Sequence, residues 1–155
     1  MLDLGFKQLT TTNGFDFKDL QNARQNNYAW SMAELGDYIY VGTGRNILAG
    51  VLRAINENIK LPALVKPSVP DNRAEIWRYK KDGSLPWNRV YKAPQESSLF
   101  GFRYMIQHTP FGGSPCLYAA GYGQNVKILK STNGCDWFET QNTLQGTSSR
   151  AMISH

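Results

Sequence analysis

The sequence has 155 residues, of which 41% are hydrophobic, 12% aromatic and 19% charged, and its formal net charge is +5. This length suits one domain with a sizeable core, and the composition excludes wholesale disorder, a coiled coil and collagen. No apolar run approaches the roughly 18 residues of a membrane span, so we expect no membrane partner. The 14 glycines, together with eight tyrosines and seven phenylalanines, indicate short strands joined by tight turns.

Charge and cysteine content narrow the classes of partner. Lysine and arginine total 17 and are scattered along the chain, whereas a nucleic-acid-binding surface usually clusters them, so we expect no nucleic-acid partner. Cys116 and Cys135 are the two cysteines and have no histidine at ligand spacing, so we expect no metal site and no cofactor. The N-terminus has no basic segment before an apolar stretch, which predicts no secretory signal and leaves the cytoplasm as the default location.

An internal repeat is the clearest pattern. The segment 12–17 (TNGFDF) recurs as 132–137 (TNGCDW), an offset of 120 residues that also relates Met32 to Met152. Met105 marks a middle copy, at spacings of 73 and 47 residues from the other two methionines. Self-similarity of this kind is typical of repeat architectures. The repeating unit is about 47 residues long, and its first copy carries an insertion of about 26 residues.

Each unit is predicted to contain four short strands, A to D, rich in aromatic and β-branched residues and bounded by Gly, Pro, Asn and Asp. In chain order these are 28–33, 38–41, 75–79 and 87–91 in the first full unit, and 102–107, 117–120, 126–130 and 136–140 in the second. A D strand precedes them after residue 14, and a lone A strand around Met152 follows them. The Asn-Gly and Asp-Gly dipeptides at 13–14, 82–83 and 133–134 are predicted hairpin turns between C and D. A Gly-x-Gly at Gly42 and Gly44, repeated at Gly121 and Gly123, marks the end of strand B.

The insertion separates strands B and C of the first full unit, at residues 47–73. Apolar residues at helical spacing predict a helix over 47–60, which Pro62 ends. The stripe consists of Ile47, Leu48, Val51, Leu52, Ile55 and Ile59. The stretch 61–73 is predicted to return to strand C as an irregular loop.

Four-stranded units of 40–50 residues are typical of β-propeller blades. The pattern Ser131-x-Asn133-Gly134-x-x-Trp137 resembles a shortened Asp-box of sialidase-like propellers, and the segments 28–33, 38–45 and 75–79 resemble bacterial kelch-like propellers. The resemblance implies an all-β fold, in which residues 1–155 are one partial propeller domain of about two blades with flanking strands. Either further blades of a longer protein, which we favour, or other copies of this chain complete the ring.

The candidate ligand-binding residues are Arg24, Trp30, Arg45, Arg103 and Arg150. Propeller strand order sends the D-to-A and B-to-C connections to one face, where these side chains and the insertion would meet. Trp30, Arg103 and Arg150 would occupy equivalent places on the innermost strands. Arginines beside an aromatic ring can hold a carboxylate, sulfate or phosphate. The alternative is that the arginines pair with buried carbonyls or carboxylates.

We therefore expect a non-catalytic binding or interaction module, for carbohydrate or another anionic ligand. The alternative is part of a sialidase-like or other glycan-cleaving enzyme. That chemistry needs carboxylates across a cleft and a Tyr or Glu nucleophile, and the sequence shows no such constellation, so no catalytic residue is predicted. A third possibility is a structural repeat that recruits protein partners through its rim.

Overall fold

The structure, a computed structural model, describes residues 5, 7–26, 28–67, 71–141 and 144–154. Within these ranges the chain is all-β apart from two short helices, and its eight strands belong to one curled antiparallel sheet. The elements in order are α1 (Leu20–Gln25), β1 (Tyr28–Leu35), β2 (Tyr38–Gly44), α2 (Ile47–Ile55), β3 (Glu75–Lys80), β4 (Asn88–Lys92), β5 (Leu99–His108), β6 (Cys116–Gly123), β7 (Ile128–Ser131) and β8 (Phe138–Glu139). Neither helix is long and apolar enough to cross a membrane.

The sheet consists of two successive antiparallel meanders. Strands β1 to β4 pair in chain order and are called unit 1, and strands β5 to β8 do the same and are called unit 2. The units join where Gly44, at the end of β2, pairs with Gly101 of β5. All eight strands predicted for the two full units are present, with ends that differ by no more than three residues. Aromatic and β-branched residues favour the extended backbone in these segments.

The hydrophobic core lies between the two units. Unit 1 contributes Tyr40 and Ile76, and unit 2 contributes Phe102, Met105 and Leu129, all of them buried. Aromatic contacts cross the same seam, with Tyr91 edge-on to Phe102 at 5.8 Å between ring centroids. Burial of this apolar surface is the main favourable contribution to folding of the pair of units.

The predicted turn between β7 and β8 is held by hydrogen bonds from its backbone to the side chains of Ser131 and Asn133. Gly134 has φ +73° and its N–H donates to Ser131 Oγ at 2.8 Å. Asn133 Oδ1 accepts the next two backbone N–H groups, each at 2.9 Å. A Cβ atom at position 134 would overlap the hydroxyl group of Tyr40. The turn therefore needs glycine both for its backbone angle and for its contact with unit 1.

Two predictions at the ends of the repeat are wrong in part. The D strand expected after residue 14 is absent, because Asp19 Oδ1 accepts from the N–H groups of Gln21 and Asn22 and so caps the N-terminus of helix α1. The lone A strand near Met152 is reduced to isolated bridges: residues 144–154 hold no extended strand, and Ser148 pairs singly with Tyr122.

The insertion leaves the sheet between β2 and β3 as predicted, but its helix is shorter. Helix α2 ends at Ile55, because Asn56 has extended backbone (φ −148°) and its side-chain oxygen accepts the N–H of Asn58 at 3.0 Å. Only Ala49 of this helix is buried. The apolar stripe is instead largely exposed at Leu48, Val51 and Ile55.

Strand pairing corrects the alignment of the two Gly-x-Gly segments by one residue. Met32 pairs with Val41, and Met105 with Ala119, so Gly44 is equivalent to Tyr122 rather than to Gly123. A shift of one residue in a strand exchanges the faces of the sheet. Each glycine serves a local contact: a Cβ atom at Gly123 would overlap the carbonyl oxygen of Ser98.

We predict that Gly134→Ala lowers the free energy of unfolding by about 2 kcal/mol or more, because the methyl group combines a positive φ with overpacking against Tyr40. Gly112→Ala is the matched control, since Gly112 has φ +69° and open space around its Cβ position. The Gly112→Ala variant should lose only the free energy that the positive φ costs a residue with a Cβ atom, about 1 kcal/mol. Urea unfolding measures both. Equal losses would contradict a seam fixed by this turn.

Candidate functional site

A cleft of about 310 Å³ lies between helix α2 and the ends of the first two strands of each unit. One wall is aromatic and comprises Trp30, Phe100 and Tyr122, and the opposite wall is aliphatic and comes from α2. The other lining residues are Arg45, Asn46, Ile47, Gly50, Val51, Ala54, Asn72 and Arg103. The cleft thus contains three of the five predicted residues.

The indole of Trp30 packs against glycine backbone as well as against side chains. A Cβ atom at Gly44 or Gly101 would approach the indole carbons to 2.9 Å and 2.5 Å, so the ring lies against the two paired glycines. Tyr28 and Tyr122 contact it edge-on, at centroid distances of 5.9 Å and 5.4 Å. The indole is therefore held in place where unit 1 meets unit 2.

Arg103 is held between two aromatic rings. Its guanidinium carbon lies 4.7 Å from the ring centroid of Trp30 and 5.1 Å from that of Tyr122, and Nη1 donates to Ser148 Oγ at 3.3 Å. No carboxylate in the described ranges lies within ion-pair distance of it. Stacking on two rings stabilises the cation and restricts its motion. The half-buried guanidinium is therefore preorganised and lacks a counter-charge from those residues.

Arg45 lines the same cleft but is buried, and its donors are already used. Nη1 pairs with Glu75 Oε1 at 3.2 Å, and Nη2 donates to Gln25 Oε1 at 2.8 Å. Short hydrogen bonds run from Nη1 to Asn22 Oδ1 and from Nε to the carbonyl oxygen of Asp71. Burial lowers the pKa of Arg45, and the Glu75 and Asp71 carboxylates oppose this effect. This arginine fits the structural alternative raised by the sequence.

Glu75 is the partner that the sequence did not single out. Its carboxylate is completely buried at the start of β3. Besides Arg45 it accepts from Arg89 at 3.0 Å, from Trp77 Nε1 at 3.0 Å and from Asn22 Nδ2 at 3.3 Å. Its only sequence signal is that an acidic residue opens predicted strand C.

The remaining two predicted residues lie outside the cleft. Arg24 is exposed, and its guanidinium donates to the carbonyl oxygens of Leu64, at 3.1 Å, and of Ala63. It fastens helix α1 to the loop that returns from the insertion. Arg150 is exposed and does not line the cleft. Of the three residues predicted to be equivalent, the structure thus brings together only Trp30 and Arg103.

The described lining residues of the cleft are aromatic, aliphatic, glycine, amide and arginine residues. None of those described is a carboxylate, histidine, serine or cysteine, and the described ranges hold no group of three or more acidic, histidine or cysteine side chains placed to bind a metal ion. Comparison of the chain with protein-family models, with curated proteins and with solved structures found no match.

We predict that Glu75→Gln destabilises the fold by about 3–5 kcal/mol, because it leaves the buried Arg45 without a full counter-charge. Glu139→Gln is the control. Glu139 pairs with Lys127 at 2.8 Å on the surface, where such pairs contribute about 0–1 kcal/mol. Chemical unfolding compares the two variants, and a small effect at both positions would show that the buried pair is dispensable.

The Asp71 carboxyl group should make the stability of the folded protein depend on pH. Burial alone would raise its pKa, but hydrogen bonds from Arg73 and Lys92 outweigh this and hold the pKa well below its ordinary value of 3.8. A carboxyl group whose pKa is lower in the folded state than in the unfolded state contributes its full stabilisation above the unfolded-state pKa. That stabilisation is lost as the pH falls through the folded-state pKa. The stability difference between the wild type and Asp71→Asn should therefore shrink below pH 3.8. A constant difference in an acid unfolding series would contradict the assignment.

Proposed function

We propose that this chain is a non-catalytic binding module for an organic anion, a carboxylate or sulfate attached to a ring that offers an apolar face, and that the ligand occupies the cleft beneath α2. The observation that carries this proposal is Arg103, held between Trp30 and Tyr122 with no carboxylate of the described ranges beside it. A net charge of +5 favours anionic ligands more generally.

The recognition would divide between the two walls. The planar guanidinium of Arg103 presents paired N–H groups to a carboxylate or sulfate, and its prior fixation reduces the entropy lost on binding. Phe100, Ile47 and Val51 supply apolar contacts for the rest of the ligand. An uncharged sugar is less favoured, because the indole of Trp30 is already in contact with glycine backbone and the guanidinium. An acidic sugar belongs to the proposed class.

Glycan cleavage is the less supported alternative. It requires two carboxyl groups flanking the bond to be cleaved, and the described lining residues include none.

We further propose that the two units are neighbouring blades of a propeller of the kelch-like or Asp-box-like kind. Their first strands lie side by side, as the hydrogen bond from Ser31 Oγ to the carbonyl of Phe102 at 2.8 Å supports. The bridge from Gly44 to Gly101 recurs 78 and 47 residues later as the bridge from Tyr122 to Ser148. This recurrence supports a third unit that begins near residue 148, in the same relation to unit 2.

The test is titration of the chain with 1-naphthoate, its neutral analogue 1-naphthalenemethanol and glucuronate, followed by calorimetry or NMR. We expect the two carboxylates to bind and the alcohol to bind at least about tenfold more weakly, the loss for one charge-assisted hydrogen-bond pair. Arg103→Ala should remove this preference. Arg150→Ala is the matched control, because Arg150 occupies the repeat-equivalent position outside the cleft.

Two outcomes would contradict the proposal. One is unchanged carboxylate affinity in a folded Arg103→Ala variant. The other is equal loss in the Arg103→Ala and Arg150→Ala variants, which would indicate general electrostatic attraction rather than this cleft.

A further inference from the structure

A second cleft, of about 430 Å³, lies at the opposite end of strand β2 from the cleft beneath α2. Tyr38, the first residue of β2, lines the second cleft, whereas Arg45, which follows β2, lines the first. The seven residues of β2 separate them by roughly 20 Å. The described lining residues come from unit 1 and the segment before it, and they are Asp16, Phe17, Lys18, Tyr38, Trp77, Arg78, Leu85, Pro86, Trp87, Asn88 and Arg89.

Three of these lining residues are cations, and each cation lies over an aromatic ring of the same cleft. The pairs, with the distance from the charged group to the ring centroid, are Arg78 over Tyr38 (4.4 Å), Lys18 over Phe17 (5.6 Å) and Arg89 over Trp77 (5.8 Å). Contact with a ring face stabilises a cation without neutralising it. The cleft is therefore both aromatic and positively charged.

Two of the cations have no counter-charge among the described residues. Neither Lys18 nor Arg78 lies within ion-pair distance of a carboxylate of those residues. Arg78 Nη1 instead donates to the sulfur of Cys135 at 2.9 Å. A ligand that enters the cleft thus meets two cations whose charge is not yet paired with a described carboxylate.

The carboxylates near the cleft are already used. Both oxygens of Asp16 accept hydrogen bonds near the start of helix α1: Oδ1 from the N–H groups of Lys18 and Asp19, at 3.2 Å and 3.1 Å, and Oδ2 from Asn22 Nδ2 at 2.9 Å. Arg89 pairs at 3.0 Å with Glu75, a carboxylate outside the lining that it shares with other cations. A single carboxylate therefore lines the cleft beside three cations.

We propose that the second cleft binds a phosphate monoester attached to an apolar ring, with the phosphate beside Arg78 and Lys18 and the ring against Leu85 and Pro86. A phosphate monoester carries about −1.5 to −2 charge at pH 7. That charge matches two unpaired cations better than the single charge of a carboxylate or sulfate does. Arginine also presents paired N–H groups to phosphate oxygens, and Leu85 is 48% exposed and open to the ring. The proposal does not depend on binding in the cleft beneath α2.

The test is calorimetric titration with phenyl phosphate and phenyl sulfate, which have nearly the same shape and differ by about one charge. The wild type and Arg103→Ala, which disables the cleft beneath α2, should both bind the phosphate at least about tenfold more tightly than the sulfate. Arg78→Gln should remove most of this preference, and Lys18→Gln should weaken phosphate binding about fivefold. Lys130→Gln is the matched control and should stay within about twofold of the wild type, because Lys130 also lies 5.6 Å from a ring centroid, that of Tyr118, but outside the cleft.

Lys18 is exposed, so Lys18→Gln should fold and decides the test if circular dichroism shows that Arg78→Gln does not. Equal affinity for the two ligands would overturn the assigned charge class. Equal effects of Lys18→Gln and Lys130→Gln, or binding that Arg103→Ala abolishes, would overturn the location. A short phosphotyrosine peptide distinguishes the source of the phosphate: tighter binding than phenyl phosphate indicates a protein-borne group, and equal or weaker binding a small molecule.

Discussion

The buried pair of Arg45 and Glu75 is the interaction on which the arrangement of the site depends. It lies where the end of β2, the start of β3 and helix α1 meet. Two charges in this position lose their hydration, which is costly unless every donor and acceptor finds a partner. The side-chain amides of Asn22 and Gln25 supply those partners from α1. Their hydrogen bonds to the ion pair hold the helix in place.

This arrangement also sets the geometry of the cleft. Arg45 follows Gly44 directly, so the residue that anchors the end of β2 is adjacent to the glycine beneath Trp30. The backbone N–H of Arg45 donates to the carbonyl of Phe100 at 3.0 Å, which joins the two units at the same point. Asn46 then enters α2 with a left-handed backbone, φ 51°. The buried pair of Arg45 and Glu75 thus fixes the floor of the cleft, the packing site of the Trp30 indole and the position where α2 begins.

Much of the fold could be predicted from local signals. Strand alternation and the turn glycines at 83 and 134 depend on period and backbone angle, which a single sequence displays. The contact between Trp30 and Arg103 was predictable in outline, because the repeat puts both residues at the same place on adjacent strands. The full set of five residues was not, because nothing local separates the stacked Arg103 from the buried Arg45 or the exposed Arg150.

Other features depend on contacts between distant segments. Helix α1 replaces an expected strand through side-chain capping by Asp19, a competition that strand propensity does not express. The role of Glu75 needs partners 30 residues upstream, which periodicity cannot reveal. The alignment of the two Gly-x-Gly segments was wrong by one residue because glycine occurs where another segment lies close to the backbone. These close contacts fall at different positions in the two units.

The packing of Trp30 against two glycines has a consequence for how this sequence can vary. The indole and the glycines at 44 and 101 form a coupled set, because a larger side chain at either glycine competes for the volume that the indole fills. A smaller residue at position 30 would relax only part of the demand for glycine, because a Cβ atom at position 44 would also approach Ile47 Cγ1 to 2.8 Å. Changes at the three positions should be strongly non-additive. Sequence drift there should therefore occur in compensating groups rather than one residue at a time.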